Sequence, residues 1–94
     1  MIKITEVKIT LKPNQEPLKA FASVTFEKCF VIHDLRIIKV NEKIFLAMPS
    51  KKIKHPNQIQ PFYKDIAHPI NKNMREHIED AVLKEYEKTL ENMN

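Results

Sequence analysis

The chain has 94 residues, with sixteen Lys and Arg against twelve Asp and Glu for a formal net charge of +4, a single cysteine, and neither glycine nor tryptophan. This length suits one domain, residues 1–94, with one modest hydrophobic core. Zero glycine excludes sites built on glycine-rich backbone cradles, such as the P-loop, the dinucleotide fingerprint and the KH clamp, and a lone Cys29 excludes internal disulfides and C-x-x-C zinc sites.

Residues 2–12 read as a strand whose apolar phase slips. Ile2 and Ile4 fall on even positions, but Val7, Ile9 and Leu11 fall on odd ones. A bulge near Thr5–Glu6 would return all five to one face. In the turn from Pro13 to Pro17, Asn14 is the residue best suited to left-handed backbone geometry. Residues 18–27 alternate cleanly, with Leu18, Ala20, Ala22, Val24 and Phe26 on one face, as in a half-buried antiparallel strand. Glu27–Lys28 marks a tight reversal.

Residues 29–40 and 43–48 are apolar on both parities, which predicts strands covered on both faces. One helix can cover one face, so a homodimer through these middle strands is expected, with Asn41-Glu42-Lys43 forming the hairpin between them. Residues 50–64 read as a basic, Pro-containing loop. The last element is a helix over about 72–91, with Met74, Ile78, Ala81, Val82, Tyr86 and Leu90 as its apolar stripe. Asn73, three residues before Glu76, has capping-box spacing, and Asn71 is its rival as cap. The fold class is therefore α+β: an antiparallel sheet of about four to five strands with a C-terminal helix packed on one face.

Charge is unevenly spread. Residues 1–70 carry twelve basic and six acidic side chains; residues 71–94 carry four basic and six acidic. No acid lies between Glu42 and Asp65, and this interval holds Lys51, Lys52, Lys54 and Lys64. Such a stretch is a candidate contact for a polyanion. Beside it, the helix start would offer unpaired backbone N–H groups with Lys72 and Arg75, and Phe62 and Tyr63 could stack on bases.

Catalytic and metal constellations are not expected. The histidines at 33, 55, 68 and 77 include no helical i,i+4 pair. Cys29 and His33 on one strand stand roughly 13 Å apart, too far to share a proton. His33–Asp34 reads as a structural hydrogen-bonded pair, and His68 before Pro69 as a fixture of the turn into the helix. No enzyme activity, cofactor or metal site follows. The longest apolar run, residues 44–48, is far short of the roughly 20 residues that span a bilayer, and the start of the chain lacks a secretory pattern. A soluble cytoplasmic protein without membrane insertion is expected.

Four ordered motifs carry a family resemblance. His33-Asp34-Leu35-Arg36-Ile37-Ile38, Ala47-Met48-Pro49-Ser50-Lys51-Lys52, Asp65-Ile66-Ala67-His68-Pro69-Ile70, and Arg75 with the run from Asp80 to Tyr86 closely resemble the stage V sporulation protein G, or septation protein, family. The resemblance implies a small bacterial cytoplasmic protein with an antiparallel sheet, a C-terminal helix and dimerisation through the sheet. It implies DNA- and RNA-binding regulation: of septation and sporulation in spore formers, and of surface and virulence genes elsewhere. By position, the family's basic pair falls on Lys51 and Lys52 and its helix-start arginine on Arg75. Family members usually have a short Gly-containing turn where this chain has a longer, glycine-free segment from Ile53 to Phe62.

Two functional readings follow. The first is a non-catalytic, dimeric DNA- or RNA-binding regulator using Lys51, Lys52, Lys54, Lys64, Lys72 and Arg75. The alternative is a protein-interaction module that engages the division machinery through the acidic helix face of Glu76, Glu79, Asp80 and Glu87, without nucleic acid.

Overall fold

A computed structural model describes residues 2–54, 56–57 and 62–92. Four strands form one antiparallel sheet in simple up-and-down order: β1 (Ile4–Leu11), β2 (Leu18–Phe26), β3 (Phe30–Val40) and β4 (Lys43–Ala47). A second, two-stranded antiparallel unit pairs β5 (Ser50–Ile53) with β6 (Phe62–Asp65), and helix α1 (Lys72–Glu91) follows.

The phase slip in β1 is resolved by the expected bulge. Ile4 pairs with Phe26 and Glu6 with Thr25, so Thr5 is the extra residue. Its hydroxyl accepts from the Lys28 N–H at 2.9 Å and donates to the Thr25 carbonyl at 3.3 Å, tying the bulge to the neighbouring reversal. Ile4, Val7, Ile9 and Leu11 then pack together against the core, whereas Ile2 stays exposed.

A second bulge corrects the reading of β3. Ala22 pairs with Leu35 and Val24 with Ile32, leaving one extra residue on β3 around His33–Asp34, where Asp34 takes φ 66°. The bulge switches parity, so Ile32, Leu35 and Ile37 share the inner face although their spacing suggests otherwise. Much of the apolar doubling in residues 29–40 is therefore a change of phase and not burial on both sides. Phe30, Val31 and Val40 are exposed, as are Ile44 and Phe45 on β4. The expected His33–Asp34 hydrogen bond is absent among the described residues; the pair shapes the bulge instead.

The core is built from Ala20, Ala22, Val24 and Phe26 of β2, Leu35 and Ile37 of β3, Leu46 and Met48, and Ile78, Val82 and Tyr86 of the helix. Helix α1 lies mainly over β1 and β2. Its stripe is the anticipated one, with Ile78, Val82 and Tyr86 buried four residues apart. Small alanines on β2 let the helix approach the sheet closely. His77 reaches across to the Ile2 carbonyl at 2.9 Å and fixes the first residues to the helix. The other face of the sheet carries no helix.

Asn71, and not Asn73, is the helix cap. Its Oδ1 accepts from the Met74 N–H at 2.8 Å, and its own backbone is extended. Asn71→Ala should therefore cost about 1 kcal/mol of stability, with a much smaller loss for Asn73→Ala. Chemical denaturation of the two variants separates the caps.

Without glycine, the turns use other residues in left-handed geometry. Asn14 takes φ 64°, as expected, and the reversal at Glu27–Lys28 takes 51° and 57°. The β3–β4 hairpin is a two-residue loop: Val40 pairs with Lys43, while Asn41 and Glu42 take φ 52° and 71°. Two positive φ angles match a type I′ turn, for which Asn-Gly is the favoured sequence. Glu42 meets a Cβ clash that glycine would lack. Glu42→Gly should raise stability by about 0.5–1 kcal/mol after the entropic cost of glycine in the unfolded chain, seen as a thermal midpoint raised by roughly 3–6 °C.

Candidate nucleic-acid interface

The stretch read as a basic loop over 50–64 is in part a hairpin-like arm. Residues 50–53 and 62–65 are strands in register, with Ser50 opposite Asp65, Lys51 opposite Lys64, Lys52 opposite Tyr63 and Ile53 opposite Phe62. Neither Ser-Lys-Lys-Ile nor Phe-Tyr-Lys-Asp alternates in polarity, so these short strands leave no period-2 signal in the sequence. Residues 55 and 58–61, half of the segment that departs from the family pattern, lie outside the described residues; Pro56 and Asn57 occupy a turn.

Register decides which lysines share a surface. Residues directly opposite one another project to the same side. One side of the arm therefore presents Lys51, Lys64, Ile53 and Phe62; the other presents Lys52, Tyr63, Ser50 and Asp65. The sequence grouped four lysines, and the structure divides them. Lys51 and Lys64 face one way, Lys52 the other, and Lys54 follows the end of β5, exposed. Tyr63 is 65% exposed, the more available aromatic of the two.

The arm is hinged to the rest by two contacts. The Ile66 N–H donates to the Pro49 carbonyl at 2.7 Å, closing the base of the arm. Arg36 of β3 donates from Nη2 to the Ser50 Oγ at 3.0 Å. Arg36 was not among the residues singled out for binding from sequence. It sits half-buried on the helix-free face, opposite Phe21 on one side and Ala47 on the other. Its signal in the sequence was weak: one arginine on a strand that also carries His33, Asp34 and Lys39.

Beyond the arm, residues 66–71 lead directly to the helix start. Lys72 is exposed, with Glu76 at 3.9 Å, a loose solvated pair of small energetic weight. Arg75 is half-buried one turn into the helix. The Asn71 cap takes the Met74 N–H, so the helix start offers fewer open donors than an uncapped end. The His68 ring nitrogen lies 3.0 Å from the Pro69 carbonyl, consistent with a role in shaping this turn.

Among the described residues, no carboxylate forms an ion pair with Lys51, Lys52, Lys54, Lys64, Arg36 or Arg75. Lys19 is different. Glu16 accepts a hydrogen bond from its Nζ and holds the ammonium above the ordinary lysine pKa. Lys19 is thus engaged, whereas the arm lysines are not. His33 and His68 line separate cavities, and Asp34 lines neither. On the helix, Glu76, Asp80 and Glu87 are exposed and Glu79 is half-buried. No described helix is long and apolar enough to cross a membrane.

Residues 2–88 match the SpoVG family model. Several curated relatives bear the name "Putative septation protein SpoVG". The one from Caldicellulosiruptor saccharolyticus is 43% identical over 86 residues, covering 92% of each chain. That of Bdellovibrio bacteriovorus is 44% identical over 92 residues, 98% of this chain and 80% of the relative. That of Staphylococcus aureus is 43% identical over 88 residues, 94% of this chain and 83% of the relative. With the match running from the bulged first strand almost to the helix end, the chain belongs to the SpoVG family of septation proteins.

Proposed function

We propose that this protein is a non-catalytic, cytoplasmic regulator that binds DNA or RNA as a homodimer, through the β5–β6 arm and the start of α1. One observation supports the reading most strongly: the like-charge pair Lys51–Lys64. Like charges directly opposite on a sheet destabilise it, and here both ammonium groups are exposed with no described acid to offset them. A polyanion laid along that side of the arm relieves the repulsion and gains two charge-assisted contacts. Lys54, Lys72 and Arg75 extend the same sign of charge, and Lys52 serves the reverse side.

Dimerisation through the sheet draws support from β3. Its first residues, Phe30–Leu35, run past the end of β4, which pairs only with Arg36–Val40. Among the described residues no strand occupies that edge, and Phe30 beside it is 63% exposed. The stretch Phe30–Ile32, ahead of the His33–Asp34 bulge, offers an open, apolar edge to a second copy about a two-fold axis.

The test is binding of duplex DNA measured across salt concentration. About four phosphates neutralised per protomer give a dimer a slope of log affinity on log salt near −7, at roughly −0.9 per phosphate. A slope near zero overturns the reading, and favours a protein partner on the acidic helix face.

A further inference from the structure

We infer that the helix-free face of the four-stranded sheet is a second contact surface, on which unpaired bases of a single-stranded nucleic acid stack. This inference rests on the proposed nucleic-acid function and names the form of ligand that the sheet, as distinct from the arm, would take.

The register builds the surface. Thr10, Phe21, Arg36 and Ala47 lie side by side across all four strands, and Ile38 faces Phe45 one step along. Phe45 is 45% exposed although it sits on a strand. Two strand spacings and two residues separate Phe21 from Phe45, roughly 12 Å; Phe21 is half-buried with the Lys12 ammonium over its ring, so Phe45 is the ring open to a base. The Lys12 ammonium lies 5.6 Å from the Phe21 ring centre. The Arg36 guanidinium, opposite Phe21, spends one donor on Ser50 and has no described carboxylate partner. Ser50 begins the side of the arm that carries Lys52 and exposed Tyr63, so this face continues onto the arm.

Charge selects the occupant. Strand alternation places Lys8, Lys12, Arg36 and Lys43 on this face and Lys52 on its continuation along the arm, against Glu6 and Asp65 among the described carboxylates on regular strand positions. Glu6 is itself 3.9 Å from Lys8. A second copy seated here about a two-fold axis would set this cationic patch against itself, which is repulsive. A phosphate chain complements it. Duplex bases are hidden in their stack, whereas single-stranded bases can lie flat on exposed rings, and such stacking tolerates any base.

Fluorescence anisotropy can compare three probes at fixed salt: a labelled 15-mer of thymidine, an abasic 15-mer with the same phosphates, and a duplex. Phe45→Leu keeps an apolar side chain at an exposed position but removes the ring. It should weaken thymidine binding roughly tenfold, the order expected for one stacked base, while abasic and duplex binding stay within about twofold; Phe45→Tyr should bind as the parent does. Unchanged thymidine binding in Phe45→Leu, with duplex binding still lost on removing the arm lysines, overturns this inference and leaves the arm reading intact. Failure of the parent protein to bind any probe overturns both. Dissociation of a dimer by Phe45→Leu in sedimentation overturns the inference in favour of a second copy on this face.

Discussion

Alanine at Lys51, Lys52 and Lys64 together is expected to flatten the salt dependence of duplex binding from a slope near −7 to one near −2, and to lower affinity at 0.1 M salt by at least about a thousandfold. Three lysines lost per protomer remove about six of eight phosphate contacts in a dimer. Each contact carries its own share of counterion release, so the slope counts contacts where a single affinity cannot. The register adds a finer expectation. Lys51 and Lys64 share one side of the arm and Lys52 lies on the other. Removing Lys51 and Lys64 should change the duplex slope by close to two contacts per protomer, and Lys52→Ala alone by close to one. Because these side chains are exposed and Lys51 faces Lys64, the variants should melt no lower than the parent protein. Loss of affinity accompanied by a lowered melting temperature would point to a damaged arm and not to lost phosphate contacts.

Ile37→Ala should be the most damaging single substitution to the fold, at about 3–4 kcal/mol. Ile37 is fully buried on the inner face of β3, paired with Ala20 on one side and Leu46 on the other. Those neighbours are held by strand pairing and themselves buried, so the space left behind closes only in part. A domain of this length has a net stability of only about 5–14 kcal/mol, so the loss takes a large share of it. The thermal midpoint should fall by roughly 15–25 °C. Val40→Ala is the control: its side chain is exposed at the end of the same strand and should cost under about 1 kcal/mol. Comparable losses in the two variants would mean that the outer face of β3 is covered in solution, as in a dimer that uses that face.

The amino-acid sequence by itself determined the type and order of β1 to β4 and of α1, but not the strands β5 and β6. Alternation in residues 20–26 and the four-residue spacing of Ile78, Val82 and Tyr86 are local signals that survive into the structure, whereas a bulge between Leu18 and Ala20 takes Leu18 off the face the alternation gave it. The bulge in β1 and the left-handed turn at Asn14 were legible for the same reason: a broken phase and a residue type each leave a mark in sequence. So did the family, through four motifs spread along the chain.

Tertiary structure decided what depends on register between distant segments. Whether residues 29–40 are buried on both faces turned on a bulge at His33–Asp34, which is set by the register of β3 on β2. Whether the lysines form one patch turned on the pairing of residues 50–53 with 62–65, about a dozen positions apart, which places Lys64 beside Lys51 and sends Lys52 to the other side. Arg36 gained its neighbours Phe21, Ala47 and Ser50 only once three strands and the arm came together. The missing glycine shows both sides of this division. It ruled out glycine-built phosphate cradles from composition alone, yet which residues accept positive φ in its place, among them Glu27, Lys28 and Glu42, was fixed by the strand pairing that each turn has to close. Composition limits the available chemistry, and register assigns each side chain its face.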